Sequence, residues 1–158
     1  MKSQMYGWIA AILLGCMASA NAEIPAVMNP RYVILGDTVL DKKTNLTWAR
    51  CSVGQQWKEG AGCTGTVKTF TFGEAQQLSA GSWRVPTKEE LETLIVAGNT
   101  NPAMDKLAFP NMDMQNLGYW TSTPDGDLYG WMIFFFDGRV DNINQIAFKS
   151  VRLLRNKP

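Results

Sequence analysis

The sequence has 158 residues, with 15 basic and 14 acidic side chains, a formal net charge of +1 and no histidine. This near-neutral balance argues against a general electrostatic attraction to nucleic acid, and the length suits a single domain with its own core. The absence of histidine excludes the Ser-His-Asp and His-Glu-x-x-His catalytic arrangements.

Residues 1–22 have the pattern of a secretory signal peptide. Lys2 precedes a short apolar run, and small residues lead to an A-x-A cleavage site at Ala20 and Ala22. We therefore expect an exported bacterial protein, periplasmic or extracellular. In an alternative interpretation, the segment ending at Cys16 resembles a lipobox, and Cys16 would then carry a lipid anchor. No later apolar run is long enough to cross a membrane, so we expect no membrane span.

The mature chain begins with a lead-in segment, residues 23–30, which has two prolines and no periodicity; we expect the folded domain to cover residues 31–158. Residues 31–35 form an apolar, partly β-branched run that predicts the first strand. A hairpin should follow around a turn from Asp41 to Asn45. Asp41 can accept a hydrogen bond from the backbone two residues on, and Asn45 tolerates the left-handed conformation that such a turn needs.

The loop at residues 50–67 holds the two cysteines of the mature chain. In an exported protein, Cys51 and Cys63 most simply form a disulfide, which would stabilise the domain by about 3 kcal/mol. Two free thiols or a zinc site are the alternatives, but two thiolates alone do not fill a zinc tetrahedron. A G-x-G-x-x-G pattern at residues 60–65 does not indicate dinucleotide binding, because Cys63 interrupts it and it does not join a strand to a helix.

Two capping boxes, Thr-x-x-Glu, predict two short helices. The first should run over residues 71–81 and the second over residues 87–98, each ending at a glycine. Apolar side chains at i, i+3 and i+4 predict one buried face on the second helix: Leu91, Leu94 and Ile95. The long segment at residues 99–116 should turn Leu107 and Phe109 inward.

The last third of the chain has the pattern of β-structure. It predicts a strand at residues 119–122, a turn at residues 124–126 and a strand buried on both faces at residues 130–136. Asp137-Gly138 predicts a hairpin turn, and residues 147–154 should supply the closing strand. Two short helices and a twisted antiparallel sheet make a single α+β domain.

A family resemblance is carried by segments that follow one another along the chain: WRVPTKEELETLI, NPAMDKLAFPN, YWTSTP, GWMIFFFDGRV and VRLLR. With the upstream LDKKTNLTWARCSVGQQW and CTG, they resemble the DUF1566 family, also called the Lcl C-terminal domain after a collagen-like adhesin, over about residues 33–155. The resemblance implies a C-type-lectin-like fold. The Lcl adhesin domain binds sulfated glycosaminoglycans, so the resemblance also implies adhesion and glycan binding.

The function expected from these observations is that of an exported, non-catalytic recognition or adhesion module, without a cofactor. It would bind a glycan, sulfated or not, or a protein of the envelope or the host. We expect ligand contacts in two polar loops, residues 125–129 and 141–144, and in the cysteine loop. The candidate ligand-binding residues are Asp125, Asp127, Tyr129, Asn142, Asn144 and Trp57. The other tryptophans of the mature chain are expected in the core: Trp48, Trp83, Trp120 and Trp131.

A calcium site at Asp125 and Asp127 is not expected, because Tyr129 and Phe136 occupy positions 5 and 12 of an EF-hand loop and break its pattern. Two other functions remain open. One is a periplasmic structural or inhibitory partner of a secretion or surface assembly; the other is an enzyme of the formylglycine-generating type, which would need a reactive cysteine pair. The sequence leaves a homo-oligomer open.

Overall fold

The computed structural model of the protein describes residues 29–112 and 118–156. Within these ranges the strands and helices are, in chain order, β1 (Tyr32–Leu35), β2 (Thr38–Asp41), β3 (Leu46–Ala49), β4 (Gln56–Lys58), β5 (Gly62–Thr64), β6 (Thr69–Phe70), α1 (Phe72–Gln76), α2 (Lys88–Glu92), β7 (Gly118–Asp125), β8 (Tyr129–Phe134), β9 (Arg139–Asn144), β10 (Lys149–Ser150) and β11 (Leu154–Asn156). Strand pairs are antiparallel except β10 with β7. This is a small α+β domain, as predicted; the C-type-lectin-like topology stays a prediction.

A five-stranded sheet with the order β6-β10-β7-β8-β9 carries one helix on each face. Tyr119 and Trp120 are neighbours on β7 and therefore point to opposite faces. Phe72 of α1 packs edge-on against Trp120, with the ring centroids 5.4 Å apart. Leu91 of α2 belongs to the buried cluster that contains Tyr119. The two helices thus cover opposite faces of this sheet.

A four-stranded sheet with the order β1-β2-β3-β11 packs against the α2 side of the molecule. Val39, Trp48 and Leu154 are fully buried and belong to the same cluster as Leu91. The hairpin of β2 and β3 is confirmed, and Asn45 has the expected positive φ, 60°. Asp41 also accepts a hydrogen bond from the Lys43 amide, at 2.9 Å, as its position predicts.

The chain passes between the two sheets at Arg152, whose side chain is fully buried. Its guanidinium lies 4.9 Å from the centroid of the Phe109 ring and donates to the carbonyl oxygen of Ala49 at 2.8 Å and to Oγ of Ser52 at 3.3 Å. The arginine Nε has no hydrogen-bond partner within the described ranges. Burial lowers the pKa of Arg152 from its ordinary value. This buried cation ties the segment between β10 and β11 to the end of β3 and the residues that follow it.

Both capping boxes are confirmed, but the helices are shorter than predicted. The Thr71 and Thr87 hydroxyls accept from the amides of Glu74 and Glu90, and each glutamate accepts from the amide of its threonine. The second helix ends at Glu92 rather than near residue 98, because the following amides bond to carbonyls three residues back, which tightens the chain. Leu91 and Leu94 are fully buried, as predicted.

Several predicted loop and strand assignments are wrong. The cysteine loop holds the β4–β5 hairpin, and residues 141–144 lie in strand β9 rather than in a loop. The closing strand is divided into β10 and β11, which join different sheets and are separated by residues 151–153. Leu107 is 39% exposed, whereas Phe109 is buried as expected.

The predicted strand at residues 130–136 begins one residue earlier and ends two residues earlier, and its centre is buried on both faces, at Met132 and Ile133, whereas its flanks are more open. Trp131 and Phe134 are half-buried, and Phe136, beyond the end of β8, is 46% exposed. Residues 29–112 and 118–156 include no helix that is long and apolar enough to cross a bilayer. The expected signal peptide at residues 1–22, the lipobox at Cys16 and residues 23–28 of the lead-in lie outside the described residues.

Candidate functional site

Four of the six predicted ligand-binding residues share one face of the five-stranded sheet. In the strand register, Asp125 lies opposite Tyr129, Tyr129 opposite Asn144, and Trp131 opposite Asn142. Directly opposite residues of an antiparallel pair point to the same face, as do residues two apart on one strand. Asp125, Tyr129, Trp131, Asn142 and Asn144 therefore form one surface, which we call the sheet-end plate.

The helix α2 covers the same face of the sheet but stops at the edge of the plate. Ile133, two residues after Trp131, is fully buried in the cluster that contains Leu91 of α2. Nζ of Lys88, the first residue of α2, lies 4.8 Å from the centroid of the Trp131 ring. Beyond this contact the plate is open, and Tyr129 is 45% exposed.

Hydrogen bonds fix the polar side chains of the plate. Nδ2 of Asn142 donates to Oδ2 of Asp125 across strand β8. Oδ1 of Asn144 accepts from the amide of Ile146 at 3.1 Å, and Nε2 of Gln145 donates to the carbonyl oxygen of Tyr129 at 3.0 Å. The plate is thus a pre-arranged surface of two aromatic rings bordered by amide and carboxylate groups.

Asp127 does not belong to the plate. It lies in the exposed turn between β7 and β8, at residues 126–128. Asp125 and Asp127 are close in sequence, but only the carboxylate of Asp125 lies on the plate. Within the described ranges, no group of three or more His, Cys, Asp or Glu side chains is placed to hold a metal ion.

Trp57, the sixth predicted residue, lies at a different place in the fold. It belongs to β4, opposite Cys63 of β5, and lines an open cleft of about 690 Å³. We call this the hairpin cleft; it is lined by Gly36, Asp37, Ala49, Cys51, Ser52, Val53, Gly54, Gln55, Gln56, Trp57, Glu59, Trp83 and Leu153. Trp57 is half-buried, because the guanidinium carbon of Arg50 lies 3.9 Å from its ring centroid.

The predicted disulfide between Cys51 and Cys63 is present, with the Cα atoms 5.3 Å apart. It ties the β4–β5 hairpin to Cys51, which lies two residues after the end of β3. Cys63 is buried, and its amide donates to Oδ1 of Asn111 at 3.1 Å. Through Cys51, the disulfide also borders the hairpin cleft.

Two tryptophans expected in the core contribute to these surfaces instead. Trp48 and Trp120 are fully buried, as predicted, but Trp131 and Trp83 are only half-buried. Trp131 lies in the plate and Trp83 lines the hairpin cleft. The signal that could have placed Trp131 was the alternation of Tyr129 and Trp131, because residues two apart on a strand share a face.

Comparison with curated proteins gives no match to this chain. The family model of the Lcl C-terminal domain matches residues 37–155. This match spans the five-stranded sheet, both helices, the disulfide hairpin, all residues of the plate and, in the four-stranded sheet, β2, β3 and most of β11. It covers well over half of the chain and confirms the resemblance carried by the sequence segments. The protein therefore belongs to the Lcl C-terminal domain family.

Proposed function

We propose that this protein is an exported, non-catalytic recognition or adhesion module of the bacterial cell envelope that binds a glycan through the sheet-end plate. The observation that carries the proposal is the exposed ring of Tyr129 beside the hydrogen-bonded pair of Asp125 and Asn142. An aromatic face offers apolar contact area at a low cost in conformational entropy. Neighbouring carboxylate and amide groups can accept and donate the hydrogen bonds that sugar hydroxyls need.

The charges around the plate favour an uncharged glycan over a sulfated one. Asp125 contributes a negative charge to the plate itself. Lys88, the basic side chain over Trp131, lies 3.2 Å from a carboxylate oxygen of Glu92 and is thus already paired. Like charges placed together at an interface are unfavourable, so a sulfate group would meet repulsion here. The sulfated ligand of the Lcl adhesin is therefore the less suitable choice for this chain.

A glycan array tests the proposal directly, with the mature protein probed in calcium and in a calcium chelator. We expect binding to uncharged glycans, equal in both buffers. The variant Tyr129→Ala should lose the binding, because the exposed ring is removed without opening the core. Asp127→Ala is the matched control, since Asp127 lies off the plate and should leave binding unchanged. Binding by Tyr129→Ala at the affinity of the unmodified protein would show that the plate is not the site.

A protein partner is the second candidate, favoured by exposed apolar side chains at the edge of the plate. Leu128 is 64% exposed and Ile146 is 77% exposed. Their turns are joined by a hydrogen bond from the Gln145 amide to the Leu128 carbonyl oxygen, at 2.8 Å. Exposed apolar groups side by side are typical of surfaces that dock to proteins, so this edge supports a partner role in a secretion or surface assembly. A pulldown from envelope extract that Leu128→Ser leaves unchanged would count against it.

An enzyme of the formylglycine-generating type is not proposed. Such an enzyme would need reactive thiols, and the two cysteines of the described residues are bonded to each other. Thiol titration of the native protein should find no reactive cysteine in the mature chain. A titratable pair of thiols in folded protein would reopen the enzymatic interpretation.

A further inference from the structure

We propose that the hairpin cleft is a second binding site, which takes the uncharged ring of a sugar. Its volume of about 690 Å³ lies within the range of small-ligand sites, roughly 300–1,000 Å³. The cleft lies between the β1–β2 turn, the disulfide hairpin and the segment that begins at Trp83. It shares no residue with the sheet-end plate, so this inference goes beyond the proposed function.

Two tryptophan rings give the cleft its apolar surface. Trp57 and Trp83 both line it and both are half-buried. An arginine covers part of each ring: Arg50 lies 3.9 Å from the centroid of Trp57, and Arg155 lies 4.9 Å from that of Trp83. The ring area that remains accessible lines the cleft. Rings held in this way are suited to stacking on the flat, apolar side of a ligand ring.

The position of Trp57 is set before any ligand binds. Arg50 is only 7% exposed, and its guanidinium donates to three main-chain carbonyl oxygens, those of Gly36, Leu107 and Ala108, at 2.8–3.0 Å. The indole Nε1 of Trp57 also donates to Oε2 of Glu59 at 3.2 Å. A ring fixed in its binding position loses little conformational entropy when a ligand arrives.

The polar lining of the cleft selects against anionic ligands. Asp37, Gln56 and Glu59 are exposed and offer hydrogen-bond acceptors to hydroxyl groups. Among the described residues that line the cleft there is no lysine or arginine. Two carboxylates would repel a sulfate or a uronate at close range. The two carboxylates disfavour an anion, and the guanidinium groups of Arg50 and Arg155 against the two rings disfavour a cation, so the aromatic faces and hydroxyl acceptors indicate an uncharged sugar.

Amide NMR titration of 15N-labelled protein can test the cleft separately from the plate. The probes are di-N-acetylchitobiose, cellobiose and lactose, with a sulfated heparin disaccharide as the charged comparison. We expect at least one uncharged disaccharide to shift the amides of residues 51–59 in a saturable way. Gln56→Ala, an exposed change that keeps the fold, should weaken this binding, and Trp57→Ala should weaken it about tenfold or more.

Tyr129→Ala is the matched control, because it alters the plate and should leave the cleft titration unchanged. Three results would overturn the inference: no uncharged disaccharide shifts the cleft amides, only the heparin disaccharide does so, or Trp57→Ala binds as tightly as the unmodified protein. Shifts confined to the plate and abolished by Tyr129→Ala would support the proposed function and reject the cleft. Shifts confined to the cleft would do the reverse.

Discussion

The substitution Gly130→Ala tests how closely helix α1 packs on the five-stranded sheet. The backbone of Gly130 is not in the left-handed region, so alanine introduces no backbone strain. A methyl group there would, however, overlap the ring of Phe72, at 2.7 Å from Cε2 and closer still to Cδ2. Carbon atoms in good contact are about 3.5–4.0 Å apart. The ring would therefore have to move by about an ångström.

Phe72 cannot make this movement freely. It is only 7% exposed and packs edge-on against the fully buried ring of Trp120. Overpacking of this kind costs about 1–3 kcal/mol, and replacing a strand glycine returns about 0.5–1 kcal/mol by restricting the unfolded chain. The middle of each range leaves a net cost, so we expect Gly130→Ala to lower the free energy of unfolding by about 1 kcal/mol.

Gly73→Ala is the matched control, since it is the same chemical change in the helix that carries Phe72. A Cβ on Gly73 would meet no atom within 4 Å, and alanine favours helix over glycine by about 1 kcal/mol or less. The two variants should thus change stability in opposite directions. Urea unfolding followed by tryptophan fluorescence measures both midpoints, and equal slopes would show that the unfolded states are comparable. A Gly130→Ala protein as stable as the unmodified one would refute the packing described here.

Three further predictions follow from the core and its charges. Replacing Cys51 and Cys63 by serine should lower the free energy of unfolding by about 3 kcal/mol, the chain-entropy value for so short a loop; two free thiols by mass spectrometry in the unmodified protein would contradict this. Leu91→Ala should lower the free energy of unfolding by about 2–5 kcal/mol because the side chain is fully buried, whereas Glu92→Ala should lower it by about 0.5 kcal/mol or less. Equal denaturation midpoints for the two variants would show that the buried face of the helix is assigned wrongly. Burial alone would raise the pKa of Asp41, but the hydrogen bonds that its carboxylate accepts outweigh burial, and the pKa is lowered. The ionised carboxylate therefore stabilises the fold above the pKa of Asp41 in the unfolded chain, and this stabilisation is lost as the pH falls through the lower pKa of the folded state. The Asp41→Asn variant should be less stable than the unmodified protein at neutral pH and should lose less stability below about pH 4. Parallel curves of the free energy of unfolding against pH for the two proteins would exclude this contribution of Asp41.

Local signals in the sequence predicted the starts of both helices and the first hairpin. A capping box is closed by two residues only three positions apart, such as Thr87 and Glu90, so its hydrogen bonds can be predicted from the sequence alone. The same holds for the turn at Asn45, where the side-chain type matches the positive φ. These elements depend on neighbours along the chain, and the structure confirms them.

The disulfide hairpin could not be predicted in the same way, because its partners are distant in sequence. Asn111 accepts from the amide of Cys63 through its side chain and from Nε2 of Gln55 through its carbonyl oxygen. The two strands of the hairpin, β4 and β5, are each three residues long and contain no apolar run, so no hydrophobic periodicity predicts them. Long-range contacts of this kind decide the local structure, and a single sequence does not show them.

Four of the five residues of the plate were predicted as candidate ligand-binding residues, but the reason for their closeness was not. Polar side chains at Asn142 and Asn144 favoured a loop, whereas they belong to an edge strand whose side chains alternate between two faces. Edge strands carry more polar residues than central ones because one side lacks a neighbour. The register that brings Asp125 and Tyr129 to the same face follows from the turn at residues 126–128.

The last strands have a consequence for the order in which this chain can fold. β10 lies between β6 and β7 in the five-stranded sheet, and β11 pairs with β3 in the four-stranded sheet. Both sheets thus remain incomplete until residues 149–156 have left the ribosome, about a hundred residues after β3. Such distant pairings make folding slow, because a large loop must close before any contact is gained. A nascent chain without these residues should stay unfolded and bind chaperones, which is also the state in which an exported chain would have to cross a membrane.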